Sequence, residues 1–205
     1  MDDTLLDNLN KTIGHKFREK IEEYVLISNE EWNIIENHCE VFQIKNKEVL
    51  VKYGTLNKNV FFLAQGSFEM SLILEHDDTK TVWFFEDEIF NMLTTVDSVL
   101  LNEHTKYEIT ALEDSLVVKF DFDKFDFLAS KYQNINEFIK RDIMDGFVVF
   151  HEIRNHMISH SPADFITYFH KKFPTILHKI PDKNIAQFMG ITPEWYSKIK
   201  KKVKT

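Results

Sequence analysis

Residues 180–203 read IPDKNIAQFMGITPEWYSKIKKKV, a stretch that predicts two short helices joined by a tight turn. Gly190 can take the positive φ that ends the first helix and redirects the chain. Thr192 is a suitable N-cap for the second helix, and Pro193 follows at its first position, where a missing N–H costs nothing. Ala186 is small where the two helices would cross closely. The pattern is typical of a helix-turn-helix, which places its second helix in the major groove of DNA.

The helical phase decides which side chains of the second helix would face DNA. Tyr196 and Ile199 fall on the inward face, so the opposite face is exposed. Glu194 can accept a hydrogen bond from a cytosine amino group, and Lys198 can donate to guanine or to phosphate. A helical hairpin that merely caps a bundle is the alternative for the same pattern. The predicted DNA-contacting residues are Thr192, Glu194, Ser197, Lys198, Lys200, Lys201 and Lys202.

Charge is distributed unevenly along the chain. Residues 171–205 contain nine lysines against Asp182 and Glu194, a net of +7, so a total of −8 leaves −15 on the rest. An acidic body with a basic tip would repel DNA everywhere except at the intended surface. A lysine run near a C-terminus is also typical of a solvated tail. Its position directly behind the second helix favours the DNA interpretation.

Length and composition limit the class of protein. With 205 residues, 43% of them hydrophobic, the chain can bury one sizeable core plus a small second domain. No signal segment and no apolar run of membrane-spanning length is present. The single cysteine, Cys39, excludes a disulfide framework and a cysteine-only iron–sulfur cluster. We therefore expect a folded cytoplasmic protein without a cofactor.

Apolar spacing divides the rest of the chain into helical and extended parts. Apolar residues recur at helical spacing over residues 5–24, and Ser28 with Glu31 is the capping signal of a second, shorter helix. Over residues 41–125 the pattern changes to short runs rich in valine, phenylalanine and threonine. These runs predict roughly eight antiparallel strands. The fold class that follows is α+β, with the strands in a sandwich or jelly roll.

Beyond Asp123 the helical period returns and forms one long apolar stripe up to Met157. A helix with such a stripe needs a partner. Ser161 and Pro162, followed by Asp164, combine an N-cap, a first-position proline and a capping-box acid, so they begin a new helix. The order is therefore strands, a long helix and a small helical domain.

Several segments together resemble the cyclic-AMP receptor and fumarate–nitrate regulator (Crp/Fnr) family of bacterial transcription factors, over essentially the full chain. The resemblance is carried by VKYG at 51–54, VFFLAQGSF at 60–68, ITALED at 109–114 and GITPE at 190–194. It implies a cyclic-nucleotide-binding-like antiparallel β-roll, or double-stranded jelly roll, with N-terminal helices in residues 1–130. It further implies a long dimerisation helix in 131–160 and a helix-turn-helix DNA-binding domain in 161–205.

What the resemblance implies for assembly is a homodimer on a pseudo-palindromic DNA site, with half-sites about one helical turn apart. RNA polymerase is an implied further partner. Lys198 takes the place of the arginine that is usual at this base-reading position, which weakens bidentate contact with guanine. Because the chain stops at Thr205, we expect no C-terminal wing. The implied dimer-interface residues are Ile139, Ile143, Phe147, Phe150, Ile153 and Met157.

The ligand cassette departs from the family pattern. Members that bind cyclic nucleotide carry a Gly-Glu pair after a roll strand and, further on, an arginine that clamps the cyclic phosphate. Here the pair falls on Asn91 and Met92, and the arginine position falls near His104, Thr105 and Lys106. Lys106 could hold an anion only as a point charge. The candidate ligand-binding residues are therefore Asn91, Met92, Thr105 and Lys106, from which we expect no cyclic-AMP binding of the usual kind.

Other chemistry has weaker support in the sequence. His156 and His160 have the spacing of a metal pair, but no carboxylate completes the pattern, so we expect no metal site. No nucleophile–base order and no phosphate loop indicates an enzyme, so no catalytic residue is predicted. The main hypothesis is a dimeric transcription regulator. The alternatives are a sensor of cyclic nucleotide or of an unidentified small-molecule effector, and an interaction module with a vestigial DNA-binding end.

Overall fold

A computed structural model of the chain describes residues 3–74, 78–88 and 90–203. Two helices come first, α1 (Asp3–Glu22) and α2 (Asn29–Glu36). The start of α2 is the predicted capping box, because the Ser28 hydroxyl accepts the Glu31 N–H while the Glu31 carboxylate accepts the Ser28 N–H. From α1, Phe17 and Ile21 are buried against the strands that follow. The first helix therefore covers one face of the β-structure.

The middle of the described chain is an antiparallel roll of two four-stranded sheets. The first sheet has the order β1-β8-β3-β6 and the second has the order β2-β7-β4-β5. Apolar side chains of both sheets, such as Phe61, Leu63, Phe68 and Ile109, fill the space between them. The predicted α+β class and jelly roll are confirmed. The elements in chain order are β1 (Cys39–Ile44), β2 (Val49–Val51), β3 (Asn59–Gln65), β4 (Ser67–Ile73), β5 (Thr79–Glu86), β6 (Met92–Leu93), α3 (Val96–Leu101), β7 (Tyr107–Ala111) and β8 (Ser115–Asp121).

Helix α4 (Phe122–Lys131) leads from the roll into α5 (Gln133–Ser159), which has 27 residues and is therefore about 40 Å long. The N-terminal half of α5 packs on the roll through Ile135 and Phe138, and the Phe138 ring lies edge-on to Phe17 of α1. Near its C-terminal end, Ile153 belongs to a different core cluster. The long helix thus connects two separate cores.

The second core joins four C-terminal helices to the roll and to α5. The helices are α6 (Pro162–Lys172), α7 (Ile176–Lys179), α8 (Asp182–Phe188) and α9 (Pro193–Val203). Ser161 caps α6 and Pro162 occupies its first turn, as the sequence predicts. Phe165 and Tyr196 lie in this core together with Phe84 of β5. None of the helices in the described residues has the length and hydrophobicity that crossing a membrane requires.

Candidate functional site

The turn between α8 and α9 closes through two backbone hydrogen bonds. The Gly190 N–H donates to the Gln187 carbonyl at 3.0 Å, and the Ile191 N–H donates to the Ala186 carbonyl at 3.0 Å. This is the Schellman arrangement, which needs a left-handed residue after the helix. Gly190 supplies it with φ of +67°. The angle between α8 and α9 is therefore fixed by local chemistry that the sequence already indicates.

Helix α9 begins with a side-chain cap and has one buried face. The Thr192 hydroxyl oxygen accepts the Trp195 N–H at 3.2 Å, and the Thr192 carbonyl accepts the Tyr196 N–H. Tyr196 is 0% exposed and Ile199 is also buried. Burial raises the pKa of Tyr196 to about 12, so the phenol stays neutral. The predicted helical phase is therefore the one observed.

The residues predicted to contact DNA fall into two groups. Lys200 lies at the edge of α9, where it donates to the Asp182 carboxylate of α8 and packs over the Tyr196 ring. The other predicted residues lie on the solvent side of the helix. These exposed residues are Thr192, Glu194, Ser197, Lys198, Lys201 and Lys202.

Trp195 is a residue of this surface that sequence reasoning missed. Its side chain is 48% exposed, and its indole makes no ring contact with the described residues. Lys198 and Lys202 follow at i+3 and i+7, so the three side chains line one edge of α9. The signal in the sequence was a tryptophan on the polar side of an amphipathic helix, where an aromatic ring has no core to fill.

Polar contacts attach the α7–α8 region to the roll. The Thr81 hydroxyl donates to the Gln187 amide oxygen at 3.1 Å, and the Asn184 amide donates to the Glu69 carboxylate. Burial raises the pKa of Glu69, although the bonds from Asn184 and Thr81 act in the opposite direction. Nearby, Lys179 donates to Asp87 at 3.0 Å. The strands of the roll thus determine where α8 lies.

A cleft of about 390 Å³ lies between β5, α5 and the turn after α8. Trp83, Phe150 and Phe188 are among its apolar walls, and Lys80 and Arg154 also line it. The cleft therefore touches the roll, the long helix and the α8–α9 pair at once. Its lining is chemically suited to an apolar molecule that carries a negative group.

The structure divides the predicted dimer interface between two sides of α5. Ile143 and Phe150 are exposed, as is Phe147 at 56%. Ile153, in contrast, is 2% exposed and packs inside its own chain, while Ile139 and Met157 are half-buried against the two cores. The reason is that α5 is apolar on two sides, and one of these sides packs against the cores of its own chain. The exposed apolar face consists of Ile143, Met144, Phe147, Val148 and Phe150.

The four candidate ligand residues lie in two places. Met92 is in β6 of the first sheet, and the Asn91 carbonyl accepts the Leu63 N–H at 2.7 Å. Thr105 is buried before β7 of the second sheet, where its N–H donates to the Thr55 carbonyl at 2.9 Å. The Lys106 N–H donates to the Asp97 carboxylate at 2.8 Å. The carboxylate of Asp97, a residue that the sequence did not single out, therefore lies next to the Lys106 backbone, one of the candidate ligand positions.

The histidines near the end of α5 form an aromatic stack. The His156 ring lies on Tyr168 with centroids 3.7 Å apart, and His160 stacks on His156 at 4.9 Å. The Nδ1 atom of His156 is 2.9 Å from the Glu152 carbonyl oxygen. Among the described residues, no three histidine, cysteine or acidic side chains are grouped so that they could hold a metal ion.

Comparison with known proteins places the roll in a family. Residues 41–132 match the cyclic nucleotide-binding domain. No curated protein sequence gives a significant match to the chain. The domain match spans β1 to the end of α4, so it covers the roll and the cassette but not α5 or the helices that follow.

Solved structures extend the likeness beyond the roll. A mutant of CooA from Carboxydothermus hydrogenoformans matches with a TM-score of 0.65 at 18% identity, over 86% of this chain and 81% of that one. FixK2 from Bradyrhizobium japonicum matches with a TM-score of 0.63 at 11% identity, over 81% and 84%. CprK in complex with OCPA matches with a TM-score of 0.59 at 11% identity, over 92% and 82%.

At these identities the structural likeness establishes the fold. Residues 41–132 are similar to the cyclic nucleotide-binding domain. With its long helix and C-terminal helices the chain has the fold of CooA, FixK2 and CprK. The resemblance found in the sequence is thus confirmed at the level of domain and fold.

Proposed function

We propose that the chain is a transcriptional regulator whose α8–α9 pair is a helix-turn-helix and whose α9 enters the major groove of DNA. The observation that carries the proposal is the division of α9 into two faces. Tyr196 and Ile199 are buried, and Glu194, Ser197 and Lys198 are exposed on the opposite side of a capped helix. In this arrangement the residues nearest the N-terminus of α9 reach base edges.

Glu194 and Lys198 are the base-reading pair of the proposal. A carboxylate accepts from the cytosine amino group, and an ammonium donates to guanine O6 or N7. Lys201 and Lys202 would contact phosphates, which add affinity but no sequence information. Lys200 contributes less, because it is paired with Asp182. Base discrimination by a single lysine is modest, since it lacks the two-pronged geometry of arginine.

The exposed apolar face of α5 supports a homodimer. Five large apolar side chains within eight residues of one helix form a patch that a monomer rarely exposes to water. Pairing two copies through α5 would cover the patch with the same patch of the second chain, as two-fold symmetry requires. Two copies of α9 would then read the two halves of a pseudo-palindromic site. RNA polymerase is the partner through which such a dimer would act on transcription.

The cleft beside β5 favours a second candidate function, a sensor of a small molecule. It lies between the roll and the α8–α9 pair, so an effector bound there would contact both. The apolar walls together with Lys80 and Arg154 fit an apolar molecule with an anionic group. Under this second candidate function, the roll and the cleft bind the effector, and DNA binding by α9 is weak.

Replacing Lys198 with alanine tests the proposed function. Loss of this contact should lower affinity for a specific DNA site by about tenfold or more, because a hydrogen bond from a charged group contributes roughly 1.5–3 kcal/mol. Fluorescence anisotropy with labelled DNA from the organism's own promoters measures the change. Lys52→Ala is the matched control, since Lys52 is an exposed lysine on the roll. Equal affinity of the two variants would contradict the assignment of α9 to the groove.

A further inference from the structure

Asp97 lies in the first turn of α3, within the segment that joins β6 to β7. Its side chain is 8% exposed, which is unusual for an ionisable residue. One carboxylate oxygen, Oδ2, accepts the Lys106 N–H at 2.8 Å, and the other, Oδ1, accepts the Ser98 N–H at 2.9 Å. The carboxylate therefore bridges the two ends of the segment.

The main chain around Asp97 closes the same segment. The Asp97 carbonyl accepts the Glu103 N–H at 3.1 Å, and the Ser98 hydroxyl donates to the Glu103 carbonyl at 2.8 Å. Asn102 takes the left-handed conformation that reverses the chain, with φ of +58°. Thr105 is tied to the neighbouring turn by its N–H and its carbonyl. The segment is thus held in one shape by its own groups.

Lys106 lies where the family resemblance places the clamp for a ligand's phosphate. A phosphate bound there would need backbone N–H donors as well as a cation. The Lys106 N–H is already committed to Asp97, and the Asp97 carboxylate would repel a second anion next to it. A negative group that reached the Lys106 N–H would therefore have to displace the Asp97 carboxylate.

We propose that Asp97 is a built-in anion of the cassette. Its carboxylate takes the Lys106 N–H, a backbone donor that an anion bound beside Lys106 would need, so we expect the roll not to accept cyclic nucleotides. This goes beyond the proposed regulator, because it concerns the roll alone and holds whether or not α9 binds DNA.

Chemical rescue of Asp97→Ala in the full chain tests whether an anion fills this position and holds the Lys106 N–H. We expect the variant to speed amide hydrogen exchange at Lys106 by at least tenfold, as followed by mass spectrometry of the peptide that contains it. Added sodium formate at tens of millimolar should slow that exchange again, because formate fits the space of the missing carboxylate. Sodium chloride at equal ionic strength should not. Asp123→Ala, at an exposed aspartate of α4, is the matched control.

Two results would overturn the proposal. One is an exchange rate at Lys106 that Asp97→Ala leaves unchanged or that formate fails to slow. The other is a micromolar dissociation constant for cyclic AMP or cyclic GMP in calorimetry on the unmodified protein, which needs no variant to fold. If Asp97→Ala does not fold, Asp97→Asn replaces it, and we then expect a smaller acceleration because one acceptor oxygen remains. Unchanged exchange in Asp97→Asn together with nucleotide binding would reject the built-in anion.

Discussion

At the residue scale, Trp195 is an exposed side chain of α9 that has no role in the polar contacts proposed with DNA. It is half exposed, it follows Glu194, and it shares an edge of the helix with Lys198. In the proposed groove an aromatic ring at this place would meet the methyl group of thymine, which is the apolar feature of a base edge. We therefore propose that Trp195 adds a preference for thymine next to the position read by Glu194 and Lys198.

Replacing thymine by uracil in the selected site removes only the methyl group and so tests this contact. We expect the change at one position to weaken binding of the unmodified protein by about fourfold, the equivalent of about 0.8 kcal/mol for one buried methyl-sized group. The same DNA change should have no effect on Trp195→Ala. Anisotropy titrations of both proteins with both DNAs give the four affinities. An equal loss in the two proteins would place the ring away from the bases.

Gly146 and Gly190 form a matched pair for a second prediction. A Cβ atom built on either glycine meets nothing within 4 Å, so an added methyl group has room at both sites. The two sites therefore differ in backbone conformation and not in the space around them. Gly146 lies inside α5, and its change to alanine should stabilise the fold by about 0.5–1 kcal/mol. Gly190 has a left-handed backbone, so its change to alanine should destabilise by roughly 1–2 kcal/mol.

Urea unfolding of the two glycine variants measures how each substitution changes the free energy of unfolding. Opposite shifts of the unfolding free energy would support the turn geometry and the exposed position of Gly146. A loss of stability in Gly146→Ala would mean that another surface packs closely on α5 at this glycine. A gain in Gly190→Ala would mean that the turn does not need the left-handed conformation.

At the scale of elements, α5 combines two roles that its sequence alone does not separate. Its apolar residues surround more than one side of the helix, and the intrachain cores take Ile135, Phe138 and Ile153. What remains exposed is the face around Phe147, whose ring lies edge-on to His151 with centroids 4.4 Å apart. We propose that a second copy covers this face, because it would supply the same residues.

Phe147→Glu should separate the proposed dimer without unfolding the chain. The side chain is 56% exposed in a single chain, so the charge disturbs little there, whereas two charges in a symmetric interface would be buried next to each other. Leu100→Glu is the control, because Leu100 of α3 is equally exposed at 59% and is not part of the exposed apolar face of α5. Light scattering should give the mass of one chain for Phe147→Glu and of two for the control. Two chains in both would contradict the α5 interface.

At the scale of the whole molecule, the roll holds the C-terminal helices through acidic residues. Glu69 accepts from Asn184, and Lys179 lies between Asp87 and Glu113. Part of the basic charge of residues 171–205 is therefore neutralised within the chain, and the exposed part is concentrated on α9. Under the proposed function, the acidic body would position α9 and would also repel DNA from the other surfaces.

The same scale shows what the sequence could and could not predict. The α8–α9 turn followed from Gly190, and the buried face of α9 followed from Tyr196 and Ile199, because caps and helical phase are local properties. The role of Asp97 depends on a hydrogen bond from the Lys106 N–H, nine residues further along the chain. Asp97 itself lies in α3, a helix too short to give a periodic signal in the sequence. The burial of Ile153 depends on which side of α5 meets the C-terminal helices, a tertiary choice that spacing does not encode.

Selection of bound fragments from the organism's genome tests whether two copies of α9 read a two-fold symmetric DNA site. Selection at two salt concentrations should return a symmetric motif with half-sites about 10 base pairs apart. With Lys201 and Lys202 from each chain near phosphates, four contacts in all, log affinity should fall with log salt with a slope of about −4. Salt-sensitive binding without any shared motif would contradict the account and leave the roll as the functional part.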